Sequence, residues 1–382
     1  MMVLTRRVMM QALGLGPALR VGGKGMVVQG LYQLPNDPEP WKRASEAGFQ
    51  VVHLPARREE YDRARAHGMY GWSSVGSVAK PEDEARIRKV VDSLKDHPAL
   101  LYWETEDEPS YQWKKPGPRV PPEAIRATYR LLKSIDPSHP VYLNHAPTNL
   151  VSTLRQYNPG GDIIATDIYP VIPHGIREQY ALWSDGRQGD LLNNFISQVG
   201  QYADKMRQVA GPERAVFMVL QAFAWENLRE KDRDPKMVLY PTRAQMRFMA
   251  YQSIVHGASG ILWWGLRYTP PEAPLWDDLS SVAREIRALS AELAAPPATL
   301  PLRLEYHDTG HSLDRGIEWC ARPSRGGVLL IAVNADCNPV EAAFSPPERF
   351  RRAEGLFGAS SSAAPWRERF APFDVRVWRL PS

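Results

Sequence analysis

From residue 27 to residue 266 the chain repeats one pattern, a short β-branched or aromatic run followed by an amphipathic stretch of helical period. No other feature constrains the fold as much, because a helix between two strands returns the chain to lay the second parallel to the first. Eight runs read as strands, at 27–34, 50–54, 69–75, 100–104, 141–144, 163–168, 216–221 and 261–266. Helices are expected between them. At 81–95 a helix starts with Pro81 and the acidic Glu82, Asp83 and Glu84, which suit a positive helix N-terminus. Another is expected at 122–134, and a third at 242–256, where Thr242 is a candidate N-cap ahead of the apolar Met246, Met249 and Ile254. Eight such units in about 270 residues predict an α/β fold, a (β/α)8 TIM barrel. A doubly wound open sheet is the alternative, but no glycine-rich phosphate loop follows the first strand.

After Pro296-Pro297 the pattern changes to strands without helices, at 302–307, 316–321, 327–334, 340–344 and 375–380. This predicts a small C-terminal antiparallel β-sandwich. The expected division is an N-terminal segment 1–24, a barrel 25–295 and a sandwich 296–382. The low-complexity stretch Ala359 to Ala364 reads as a loop between late strands, and no internal repeat has a fixed period.

Composition narrows the class of function. A net charge of +4 with no basic block is too small for the electrostatic footprint of a nucleic-acid partner. No apolar run reaches the roughly 18 residues of a membrane span. The two cysteines, Cys320 and Cys337, are too few for a disulfide framework or an all-Cys zinc site, though they leave a single bridge open. Twelve Trp is well above ordinary usage, and exposed indoles favour flat or apolar ligands, a first pointer to carbohydrate. Arg6-Arg7 ahead of a short apolar region resembles a twin-arginine export signal, so a periplasmic or extracellular location is expected if that signal operates and a cytoplasmic one if it does not.

In a barrel of this kind reacting groups sit at the C-terminal ends of strands, which filters the candidates. The fourth strand ends in Glu104, Thr105, Glu106, Asp107, Glu108 and Pro109. Clustered carboxyls repel one another, so those shielded from water should hold their protons near neutral pH, as a general acid must. Strand five ends in Asn144 and His145, both able to bond sugar hydroxyls, although a lone His is more often a structural partner. Asp167 and Tyr169 reach the rim from strand six, with a helix-capping Asp and a core Tyr as the structural alternatives. Strand eight ends in Trp263 and Trp264, and strand alternation sends one indole toward the barrel axis and the other toward the helices.

The run His97-Pro98-Ala99-Leu100, with Trp103 and then Asp107-Glu108-Pro109, resembles the fourth strand of the clan of (β/α)8 glycoside hydrolases that includes cellulase-like and β-galactosidase-like enzymes. In that clan the strand ends in Asn-Glu. The resemblance implies that Asp107 replaces the Asn and that Glu108 is the acid/base. It also implies that Trp264, or else Trp263, floors the sugar subsite. At strand seven the chain departs from the clan, where a Glu is the nucleophile and this sequence has Gln221. Gln cannot attack an anomeric carbon, so the second carboxylate is expected from Glu226 or Asp167.

The function expected is hydrolysis of O-glycosidic bonds in an oligo- or polysaccharide, without a metal or organic cofactor. The rival from another class is a carbohydrate-binding protein that has lost its nucleophile. A metal-dependent hydrolase built on Asp107, His145 and Asp167 is a third reading, weakened by the lack of any His-x-His spacing. The sugar, its linkage and the oligomeric state stay open at this level. Long loops carrying Trp113, Trp183 and Glu230 are expected to shape the substrate cleft.

Overall fold

The computed structural model describes residues 19–21, 24–112, 115–173, 195–307 and 316–382. Arg6 and Arg7, Trp113 and Trp183 lie outside the described residues. A short hairpin pairs Leu19–Val21 with Lys24–Met26 and leads into the barrel. The barrel strands are β1 (Val28–Tyr32), β2 (Val51–His53), β3 (Tyr70–Ser74), β4 (Leu100–Glu104), β5 (Val141–His145), β6 (Ile163–Ile168), β7 (Ala215–Gln221) and β8 (Gly260–Trp264). Each pairs in parallel with the next, and β8 closes the ring by pairing with both β7 and β1.

Both faces of the strands are covered, as a parallel sheet inside a helical ring requires. On β7, Val216, Met218 and Leu220 face the helices while Phe217 and Val219 face the axis. The axis is packed with rings: Tyr32, Trp72, Tyr102, Tyr142 and Phe217 form one inner cluster, with Tyr102 and Tyr142 stacked at 5.5 Å. Such bulk fits only where neighbours are small. A Cβ at Gly260 would sit 2.4 Å from the Phe217 ring, so this strand start has to be glycine. Strand β8 then stops at Trp264 because Gly265 turns the chain through a left-handed conformation, φ 101°. The helix Arg243–Val255 begins at a Thr242 capping box with Gln245, and the expected Met246, Met249 and Ile254 face is buried.

Eight further strands follow: β9 (Arg303–Tyr306), β10 (Ile317–Ser324), β11 (Gly327–Asn334), β12 (Val340–Ser345), β13 (Arg352–Leu356), β14 (Ser362–Ala363), β15 (Trp366–Phe370) and β16 (Val375–Pro381). They form a three-stranded sheet, β9-β12-β15, and a five-stranded one, β10-β11-β16-β13-β14. Three of these strands carry too few apolar residues to be expected from pattern. One of them, β14, lies inside the stretch Ala359 to Ala364, which is therefore not wholly a loop: Ser362 and Ala363 pair with Ala353 and Arg352. Phe344, Trp366, Phe370 and Trp378 fill the space between the sheets, with Phe344 stacked on Trp366 at 5.2 Å.

Strand β11 is apolar throughout because each of its faces meets a different partner. Leu330 and Ala332 point into the sandwich, whereas Leu329, Ile331 and Val333 belong to the core shared with the barrel. Arg247 on the barrel side donates to the Val375 carbonyl at 2.9 Å. His256 lies between Glu318 (2.9 Å) and Asp204 (3.0 Å). Burial alone would depress that imidazole, but Glu318 and Asp204 raise it to about 10, so it bridges the two carboxylates as a cation. The thiols of Cys320 and Cys337 are both free. Among the described residues no helix is long and apolar enough to cross a membrane.

Candidate active site

Alternation along the strands decides which side chains reach the barrel mouth. Tyr142 and Asn144 on β5 face the axis, so Leu143 and His145 face the helices. Asp167 on β6 and Trp264 on β8 share the inward parity of Ala165 and Leu262. Together with Tyr32, Asp107, Glu108, Tyr169 and Val219 they line a cavity of about 170 Å³ at the C-terminal end of the barrel. That volume lies below the roughly 300 to 1,000 Å³ of pockets for drug-sized ligands, so it suits one small ring or its substituent.

Glu108 enters the cavity from a strained backbone. Its φ of 41° is a left-handed value uncommon outside glycine, and Pro109 follows it directly. The conformation is held by its own N–H, which donates to the Asn144 carbonyl at 3.2 Å, and by its carbonyl, which accepts from the Tyr111 N–H at 3.1 Å. Non-glycine residues persist in such conformations where the surroundings over-determine them, and these places concentrate at functional sites.

The Glu108 carboxyl is hydrogen-bonded to that of Asp167. Burial pushes Glu108 well above the usual carboxylate range, and the charges of Asp167 and Asp107 push it further. Asp167 is raised to about 6, chiefly by burial, while the bond it accepts from Glu108 favours its ionised form. Two neighbouring carboxyls cannot both ionise cheaply, so near neutral pH the pair holds one proton, on Glu108, with Asp167 as the anion. Asn144 braces the arrangement, its amide nitrogen donating to Asp107 at 3.0 Å and to Asp167 at 3.3 Å. Asp107 stands at the rim and is open to solvent, yet the atoms crowded around it still raise its carboxyl. Arg119, the cation whose field opposes these shifts, bonds Glu106 at 2.8 Å and the Asp107 carbonyl.

Beneath the rim lies a second acid. Glu104 is buried and accepts from Trp72 Nε1 at 2.9 Å and Ser74 Oγ at 2.8 Å. Burial, with Asp107 adding to it, raises Glu104 to about 8, and burial lowers His53, 3.6 Å away, to about 4. Both are therefore neutral at pH 7, and their contact is not an ion pair.

Aromatic rings supply the apolar wall. Tyr169 and Trp264 stack at 5.4 Å with 26° between their planes, and Phe223 and Trp225 pack edge-on against Tyr169. Opposite them the Tyr32 hydroxyl meets that of Tyr142 at 3.0 Å. Tyr32 and Val219 were not among the candidates from sequence, although Tyr32 sits at the end of β1, where the strand-end filter applies equally well.

Four sequence candidates lie away from the cavity lining. His145 is buried in the layer between strands and helices with its ring against Tyr157, and burial lowers it to about 3. It is thus apart from Asp107 and Asp167, and the metal trio drawn from the sequence does not assemble. Among the described residues no group of three or more His, Cys, Asp or Glu is arranged to hold a metal ion. Trp263 is 1% exposed in the core behind the strand. Gln221 is a main-chain clip: its Oε1 accepts from the Val171 N–H at 2.8 Å, and its Nε2 donates to the carbonyls of Val171 (2.9 Å) and Phe223 (3.0 Å). Glu226, on the 3-10 turn Trp225–Leu228, accepts from the Asp234 N–H at 2.7 Å and lies 3.6 Å from Arg229, so it fastens its own loop. Glu230, the remaining loop residue singled out from sequence, is exposed.

No protein-family profile and no curated protein matches the sequence. Solved structures do match. A glycoside hydrolase superposes with a TM-score of 0.60 at 13% identity, over 97% of this chain and 98% of its own. A family 5 glycoside hydrolase from Bacteroides vulgatus gives 0.59 at 11% identity, over 95% and 92%. A β-galactosidase from Bacillus circulans sp. alkalophilus gives 0.61 at 8% identity, over 93% and 99%. The likeness is one of fold: a (β/α)8 barrel with a C-terminal β-sandwich, as in glycoside hydrolases.

Proposed function

We propose that the protein hydrolyses glycosidic bonds, with Glu108 as the proton donor and Asp167 as the second carboxylate. The observation that carries this reading is the hydrogen-bonded pair of acids at the barrel mouth, both raised by burial, facing a wall of aromatic rings. A protonated carboxyl can deliver its proton to a glycosidic oxygen as the bond to the anomeric carbon breaks. An adjacent anion then stabilises the positive charge that develops on the sugar. Trp264, with Tyr169 beside it, offers a flat face to the C–H groups of one sugar ring, while Asp107 and Asn144 offer partners for hydroxyls. Gln221 and Glu226 take no part, since neither lines the cavity and each bonds main-chain groups, Glu226 through Oε1.

One observation favours a second reading, a carbohydrate-binding protein without turnover: strand seven ends in Gln221, not an acid. A panel of 4-nitrophenyl glycosides and oligosaccharides, assayed with the parent and with Glu108→Gln, separates the two. Hydrolysis by the parent that falls in the variant supports the enzyme. Saturable binding by both proteins, with no product from either, supports the binding protein.

A further inference from the structure

Hydrolysis by two carboxylates sets the acid and its partner on opposite sides of the anomeric carbon. They stand about 5 to 5.5 Å apart where the partner attacks, and about 6.5 to 9.5 Å apart where a water must fit between. The acids lining this cavity do not stand that way. Glu108 and Asp167 touch each other, and Asp107 leaves the same strand end as Glu108. The rest of the lining, from β7, β8 and β1, is Val219, Trp264 and Tyr32, and neither Gln221 at the end of β7 nor Glu226 after it is part of that lining. Among the described residues, therefore, no acid faces Glu108 across the cavity, either to attack the sugar or to activate a water.

A substrate that carries its own nucleophile needs no such acid. The carbonyl oxygen of an acetamido group on C2 can reach the anomeric carbon from the face opposite a β-linked leaving group. It asks three things of the protein: a proton donor for the leaving oxygen, an anion to hold the amide N–H as charge grows there, and a small apolar wall for the methyl group. Glu108 and Asp167 provide the first two side by side, and Val219 with the Trp264 ring provides the third in a cavity of about 170 Å³.

We propose that the site acts on 2-acetamido-2-deoxy-β-hexopyranosides, with the substrate's acetamido oxygen as nucleophile. This rests on the glycosidase reading above and specifies its substrate and mechanism. In the first step the Glu108 proton moves to the glycosidic oxygen and the bond from that oxygen to C1 breaks. The acetamido oxygen forms a new bond to C1, and Asp167 accepts the amide proton, leaving a neutral bicyclic oxazoline and a free alcohol. In the second step water adds to C1 and gives a proton to the Glu108 carboxylate. The oxazoline C–O bond opens, and Asp167 returns the proton to nitrogen. Both carboxyls end as they began, and the product keeps the β configuration.

The test compares 4-nitrophenyl 2-acetamido-2-deoxy-β-D-glucoside and -galactoside with the corresponding plain β-D-glucoside and -galactoside. Mono-, di- and trifluoroacetamido analogues, whose carbonyl oxygens are progressively poorer nucleophiles, complete the series. The proposal predicts turnover of the acetamido substrates with retention, at least about 100-fold faster than the plain sugars, the scale of one well-placed catalytic group. It further predicts a steep decline in kcat/KM along the fluorinated series and a comparable fall on the acetamido substrates for Asp167→Ala. Preference for the plain glycosides, insensitivity to fluorination, or inversion would overturn this proposal and leave the glycosidase reading standing. Failure to hydrolyse any glycoside, plain or acetamido, would overturn both.

Discussion

Glu108 and Glu226 are acids on loops that leave the same end of one barrel, and their surroundings treat them in opposite ways. Glu226 is fully buried but its Oε1 accepts from the Asp234 N–H and sits near Arg229, so its partners are groups that hold a loop together. Glu108 is bonded to another acid, Asp167, on a strained backbone, with the charge of Asp107 further raising its affinity for a proton. A fold gains nothing in stability from the second arrangement. The contrast extends along the rim. The ends of β4 and β6 gather acids that line the cavity, whereas the end of β7 is closed by the Gln221 clip. One side of the mouth leaves its acids facing the cavity, and the other is closed by main-chain hydrogen bonds.

The strongest way to break this comparison is to remove the proposed acid. Glu108→Gln should lower turnover about 10²- to 10⁴-fold, the range for a positioned acid. Its melting temperature should hold, because the Gln amide can still donate to the Asp167 carboxylate in place of the Glu108 O–H. A variant that keeps parental rates on unactivated substrates, measured by steady-state kinetics, would place Glu108 with Glu226 as a structural group. The neighbouring tryptophans sharpen the same contrast. Trp263→Ala empties a core site and should lower stability by about 3 to 5 kcal/mol in chemical denaturation. Trp264→Ala should melt closer to the parent and show its loss as weaker ligand binding in calorimetric titration.

Removing the latch is a smaller perturbation of the opposite kind. Glu226→Ala leaves the Asp234 N–H without its charged acceptor and should lower stability by about 1.5 to 3 kcal/mol. Its kcat should stay within about tenfold of the parent, since a single catalytic contact is worth more than that. A larger fall in kcat at unchanged melting temperature would move Glu226 to the reacting side.

The smallest expected effect is in pH dependence. Asp167 is raised from its ordinary 3.8 to about 6, so the folded state binds that proton more tightly than the unfolded chain does. Stability from this group is present below pH 3.8 and is lost as pH rises through about 6. The melting temperature of Asp167→Asn should therefore gain on the parent between pH 4 and pH 7 and run parallel to it above. In the parent, kcat/KM should climb through about pH 6 as Asp167 ionises and fall at higher pH as Glu108 loses its proton.

Strand positions were legible in the sequence because each barrel strand is buried on both faces and so reads as an apolar run, and the strand-end filter then picked out Glu108, Asp167 and Trp264. His145 was legible in principle: once Asn144 faces the axis, the next residue on the strand must face the helices. Gln221 and Glu226 were not, because their partners, Val171 and the Asp234 N–H, come from loops whose paths no local pattern encodes. Strand β15 was missed for another reason. Trp366 and Phe370 are buried, but three charged residues stand between them, and two apolar positions in five leave no visible alternation.

The account rests on one proton held by Glu108 beside an ionised Asp167. Carbon-13 NMR of side-chain carboxyls, assigned through Glu108→Gln and Asp167→Asn, follows each acid separately as pH is raised. The account predicts that the Glu108 signal keeps its protonated shift while Asp167 titrates near 6. Ionisation of Glu108 near the ordinary 4.5, or a protonated Asp167 beside an ionised Glu108 at neutral pH, would contradict it.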